Sequence, residues 1–81
     1  MSQIWKYELE STTVLKIPGN PNFLCVGLDP TNRVCIWMEV DTEAEEGNFS
    51  FRVVGTGHEV PVGTYLGTVT KGSLVLHVYT E

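Results

Sequence analysis

A strand that breaks off at two glycines sets the frame for this chain. From Phe49 to Val54, Phe49, Phe51 and Val53 alternate with Ser50, Arg52 and Val54. That is the two-residue period of a half-buried β-strand. At Gly55, Thr56, Gly57 and His58 the alternation stops, and Pro61 closes the stretch. Glycine permits positive φ and lets another group approach bare N–H donors. The loop is therefore the first candidate for a place where something binds.

The same period recurs along the chain, and no stretch carries a helical one. Trp5, Tyr7 and Leu9 oppose Lys6, Glu8 and Glu10 in a strand expected over Ile4 to Glu10. Further strands are expected over Thr13 to Ile17, Phe23 to Leu28, Arg33 to Val40, Thr64 to Thr70 and Ser73 to Tyr79. The Phe23 strand is nearly all apolar, which predicts a central position. Turn residues separate the strands: Pro18 to Asn22, Asp29 to Asn32, Val62 and Gly63, and Lys71 and Gly72 as a two-residue hairpin turn. Short strands at this spacing predict an all-β fold. We expect one domain over residues 1–81, a small sandwich or barrel of about seven antiparallel strands.

Size and charge narrow the function classes. A chain of 81 residues buries only about 60% of its unfolded surface, so self-association is an expected remedy for a thin core. A net charge of −5 with five Lys and Arg opposes binding along a nucleic-acid backbone. It does not oppose a small anion held by local N–H groups and one or two basic side chains. No apolar run reaches the ~20 residues of a membrane span, and Met1 to Lys6 has no apolar leader core. No membrane partner is expected. The two cysteines, Cys25 and Cys35, flank the Asp29 turn. If Asp29 faces Arg33, then Cys25 faces Trp37 and Cys35 faces Gly27. The thiols are then diagonal neighbours and are expected to be free.

Catalytic and metal signatures are sparse. Cys25, Cys35, His58 and His77 lack zinc-ligand spacing. Gly55, Thr56 and Gly57 form no phosphate loop, since the third glycine, the helix and the Lys are missing. No cofactor, metal site or catalytic residue is expected. Recognition chemistry is better represented. Trp37 lies on the row with Arg33 and Glu39, opposite the apolar row Val34, Ile36, Met38 and Val40. A Trp on such a face either packs under another subunit or offers a plate for a flat ligand. Tyr65 and Tyr79 raise the same question. Arg52 feeds the glycine loop and is the nearest bidentate donor for an anion there. The candidate ligand-binding set is Trp37, Arg52, Gly55, Thr56, Gly57, His58 and Tyr65. The Asp41 to Asn48 connection carries Asp41, Glu43, Glu45 and Glu46; it reads as solvated chain or as a docking patch for a basic partner.

One set of segments carries a likeness. Ile4-Trp5-Lys6-Tyr7, Cys35-Ile36-Trp37, Phe51 to His58 with Pro61, Tyr65-Leu66-Gly67-Thr68 and Leu74 to Val78 together resemble a family of small proteins of tailed bacteriophages and prophages, a domain of unknown function. The resemblance implies a phage accessory protein working in the host bacterial cytoplasm. By size, class and loop it is also similar to phage sponges, which form oligomers and trap cyclic nucleotide signals of anti-phage systems such as CBASS without cleaving them; a homo-oligomer, dimer or tetramer, is therefore expected for this chain. The expected function is sequestration of a small anionic cyclic nucleotide; the alternative is a protein–protein inhibitor of a host defence enzyme.

Overall fold

The computed structural model describes residues 1–81. Its strands are β1 (Ser2–Glu8), β2 (Thr12–Pro18), β3 (Asn22–Leu28), β4 (Val34–Asp41), β5 (Glu46–Gly55), β6 (Thr64–Lys71) and β7 (Leu74–Thr80). They form a three-stranded sheet of order β1-β4-β3 and a four-stranded sheet of order β2-β5-β7-β6. Every pairing is antiparallel. The fold is an all-β sandwich, as expected; of the two expected architectures, the closed barrel is not formed. No helix is present, so none is long and apolar enough to cross a membrane.

The alternation decides which side chains meet between the sheets. In β4, Ile36, Met38 and Val40 are buried to 1% exposure or less. They face Phe51 and Val78 of the second sheet, also fully buried, in one core with Leu9, Ile17, Val34 and Val69. Phe23 reaches across from β3, its ring edge-on to Phe49 at 6.4 Å and to Phe51 at 5.7 Å. Edge-to-face rings add to the burial term, which is roughly 1.5–3 kcal/mol for a fully buried side chain such as Phe51.

Leu9, Glu10 and Ser11 form the corner where the chain changes sheet. The Leu9 N–H donates to the Val34 carbonyl of the first sheet at 2.9 Å. The Ser11 carbonyl accepts from Val53 N–H of the second at 3.1 Å. That corner ends β1 at Glu8 and not at Glu10, although Leu9 keeps its inward-facing place. At the other side of the sandwich β3 and β6 lie against each other without a hydrogen-bonded ladder.

Here one expectation is corrected: β3 is an edge strand, and β4 takes the central position. The apolar run of β3 has another cause. A bulge between Phe23 and Cys25 turns Leu24 outward, and β6 covers the strand's inner residues. Val26 sits so close to Gly67 that a Cβ on that glycine would stand 2.5 Å from Val26 Cγ2. The β6–β7 turn is also shifted by one residue. Lys71 pairs with Leu74, so the loop residues are Gly72 and Ser73, with Gly72 at φ +58°. Glycine at the first loop position is a favoured hairpin solution.

The Asp29 turn follows its expected register: Asp29 N–H donates to Arg33 carbonyl, Cys25 pairs with Trp37 and Gly27 with Cys35. Both thiols are free, Cys35 buried and Cys25 exposed. Asp29 Oδ1 accepts from Thr31 N–H, Thr31 hydroxyl and Arg33 N–H, while Oδ2 accepts from Lys6 at 2.9 Å. Led by the Lys6 ammonium, these donors hold the Asp29 carboxyl well below the usual carboxylate range.

Candidate binding site

The Gly55 loop is a four-residue turn at the end of β5. His58 N–H donates to the Gly55 carbonyl at 3.1 Å, and Gly57 has φ +93°. Positive φ at the third turn position calls for glycine. Thr56 N–H donates to the Val75 carbonyl of β7 at 3.1 Å, pinning the turn to the sheet. Two of the loop's amides are therefore already committed, contrary to the expectation of a run of bare N–H donors.

The β5–β7–β6 register builds the rest of the site on the outer face of the four-stranded sheet. One cross-strand row is Thr12, Arg52, Tyr79 and Tyr65. The next is Val54, His77 and Thr68. His77 is held on both ring nitrogens: Nε2 lies 2.8 Å from Thr56 Oγ1 and Nδ1 lies 2.9 Å from Thr68 Oγ1. Thr68 in turn is hydrogen-bonded to the Tyr65 hydroxyl. Tyr65 and Tyr79 meet edge-on with ring centroids 5.5 Å apart.

A hollow of about 240 Å³ opens between this row and the turn. Its walls are Gly55, Thr56, Gly57 and His58 on one side and His77 and Tyr79 on the other, with Val60 at the rim. A second recess of about 350 Å³, over Arg52, Glu59 and Pro61, shares Val60 with it. Arg52 takes part in none of the four ion pairs of the chain, which are Met1–Asp41, Met1–Glu43, Lys6–Asp29 and Arg33–Glu8. Its guanidinium is exposed, unpaired and opposite Tyr79. No group of three or more His, Cys, Asp or Glu side chains converges as metal ligands would.

Of the residues singled out in the sequence, Gly55, Thr56, Gly57 and His58 share the hollow, Arg52 borders the adjoining recess and Tyr65 stands one strand beyond Tyr79. Trp37 is elsewhere. It is half-buried on the outer face of the three-stranded sheet, opposite Lys6 and Cys25 and above Gly27. Of the aromatic residues raised as a stacking plate, Trp37, Tyr65 and Tyr79, it is Tyr79 that lines the hollow.

The whole chain, residues 1–81, matches the family described as Domain of unknown function (DUF7352). The chain belongs to that family. No curated protein and no solved structure matches it. Within this DUF7352 domain, His77 and Thr68 are the site residues that sequence reading missed. The signal for His77 was the outward row Val75, His77 and Tyr79 in β7, which gains meaning only once β7 is known to lie between β5 and β6; Thr68, on β6, joins the site through its pairing with His77.

Proposed function

We propose that this DUF7352 domain is a binding module that holds a small anionic nucleotide of the cyclic class without transforming it. In this reading it is a phage accessory protein that sequesters a host immune signal in the bacterial cytoplasm. One observation carries the proposal: an unpaired guanidinium, Arg52, adjoins an aromatic-walled hollow on a single sheet face. Arg offers paired donors to a phosphate, and Tyr79, on the wall of the hollow, offers ring surface to a base, worth about 1–3 kcal/mol per stacked base. The chain's charge of −5 gives no long-range attraction, so recognition rests on these local groups.

The hollow is open on its solvent side and encloses one nucleotide at most. A second copy laid over it would cover the ligand's outer half, so a dimer or tetramer belongs to the same reading. Calorimetric titration with cyclic mono-, di- and trinucleotides tests the proposal. Heat with at least one of them, loss of about tenfold or more in affinity for Arg52→Ala, and intact ligand recovered after heating the complex are expected. No heat at micromolar protein with any of them, or a cleaved ligand, overturns it.

A further inference from the structure

The outer side of β2 is an unfilled ladder. β6, at one edge of the four-stranded sheet, lies against β3, while β2 at the other edge has β5 as its only ladder partner. Two bonds bracket the β2–β5 ladder: Val53 N–H donates to the Ser11 carbonyl, and Gly19 N–H to the Glu45 carbonyl. Antiparallel pairs alternate between bonded and non-bonded residues. Thr13, Leu15 and Ile17 are therefore bonded to β5, and Thr12, Val14 and Lys16 turn their N–H and C=O groups away from it. Val14, an apolar side chain at the middle of that edge, is 64% exposed.

A second copy completes this edge in one register. With Val14 opposite the partner's Val14 across a two-fold axis, Thr12 stands opposite the partner's Lys16. Every outward N–H and C=O of the three residues then has a partner. A register two residues nearer the corner sets Lys16 opposite the partner's Glu10. The N–H of Glu10 is already given to Thr13 Oγ1 at 2.9 Å. The opposite shift sets Thr12 against the partner's Pro18, which has no N–H to give.

The same register reaches the candidate site. Arg52 pairs with Tyr79 on one side and Thr12 on the other, so their outward row continues into the partner's Lys16. Neighbouring strands stand about 4.8 Å apart, which puts the backbones of Arg52 and the partner's Lys16 about 10 Å apart. Both long side chains reach the space over Thr12. Lys16, like Arg52, is exposed and takes part in none of the chain's ion pairs. Within one copy the recess sets a single cation, Arg52, against a single carboxylate, Glu59. The second cation that an anion needs there comes from the other copy.

We propose that the domain pairs with a second copy through β2, with Val14 at the two-fold axis, and that Arg52 and the partner's Lys16 together hold the ligand's anionic group. The guanidinium gives paired donors and the ammonium a point charge. The pairing leaves the face over the hollow open to a further copy. The anion subsite rests on the nucleotide-binding reading; the strand pairing does not.

Native mass spectrometry of the unmodified protein is expected to show a dimer. Val14→Lys, which sets like charges face to face at an exposed position, is expected to give a folded monomer by circular dichroism. Amide exchange at Thr12, Val14 and Lys16 should be about tenfold or more slower in the unmodified protein than in Val14→Lys. The anion probes are cyclic mono-, di- and trinucleotides and inorganic pyrophosphate. Lys16→Ala and Arg52→Ala should each weaken the bound probe about tenfold. Mixed together, the two variants should regain one site of unmodified affinity in each mixed dimer, because Arg52 of one copy meets Lys16 of the other. A monomer, a dimer indifferent to Val14→Lys, or protection at Ser2, Ile4 and Lys6 on β1 in place of β2 overturns the pairing. Nucleotide binding with no recovery in the mixture overturns the shared subsite and leaves the nucleotide reading intact. Recovery with pyrophosphate alone supports the subsite and overturns the nucleotide reading. A dimer paired through β2 that binds no probe overturns both.

Discussion

At the residue scale, glycines and one aspartate show how local geometry fixes what a position tolerates. Gly63 has φ +128°, and a Cβ there would stand 2.3 Å from the Thr80 carbonyl oxygen. Gly72 has φ +58° with open space around it. Gly63→Ala is expected to cost upwards of ~2 kcal/mol and Gly72→Ala about 1 kcal/mol, compared by urea denaturation. Asp29 has a depressed folded-state pKa, so its contribution is fully present above the unfolded value of about 3.9. That contribution fades as pH falls below it. Unmodified protein should therefore lose stability between about pH 4 and 2 more steeply than Asp29→Asn, measured by thermal melts across that range. Glu59 shares the recess of Arg52 and opposes an anion there; Glu59→Gln should tighten nucleotide binding several-fold, read by calorimetry, where Arg52→Ala weakens it.

At the scale of elements, alternation and turn chemistry were legible without coordinates. The rows of β4, the strand of Phe51 and the pairing of Cys25 with Trp37 across the Asp29 turn all follow from local sequence. Neighbours made by distant segments were not legible. The apolar run of β3 read as central because an edge strand covered by β6 has the same composition as an interior one. Trp37 and the glycine loop looked like partners because nothing in the sequence assigns β4 and β5 to different sheets. His77 and Thr68 sit nine residues apart on strands that pair directly, yet their role depends on Thr56 arriving from β5. The seam between β3 and β6 has its own consequence. Gly67→Ala would drive a methyl to 2.5 Å from Val26 Cγ2 and should cost about 1–3 kcal/mol. In a Val26→Ala background that cost should largely vanish, which a double-mutant cycle measures directly.

At the scale of the whole molecule, a thin two-layer sandwich of 39 × 29 × 15 Å places its candidate site on the outside of a sheet and not inside a barrel. Its core is correspondingly small, so Phe51→Ala, which empties a fully buried position, should cost about 3–5 kcal/mol and leave little folded protein. The candidate site has no such role in stability at two of its residues: Arg52 and His58 are exposed, and changing them should alter affinity while the melting curve stays in place. The most direct measurement of the central claim is a residue-resolved amide NMR titration with the cyclic nucleotide that gives calorimetric heat. Shifts concentrated at Arg52, Gly55 to His58, His77 and Tyr79, with Trp37 unmoved, are the predicted result. Shifts centred on Trp37 or on the Asp41 to Glu46 connection, or no saturable shifts at all, would contradict it.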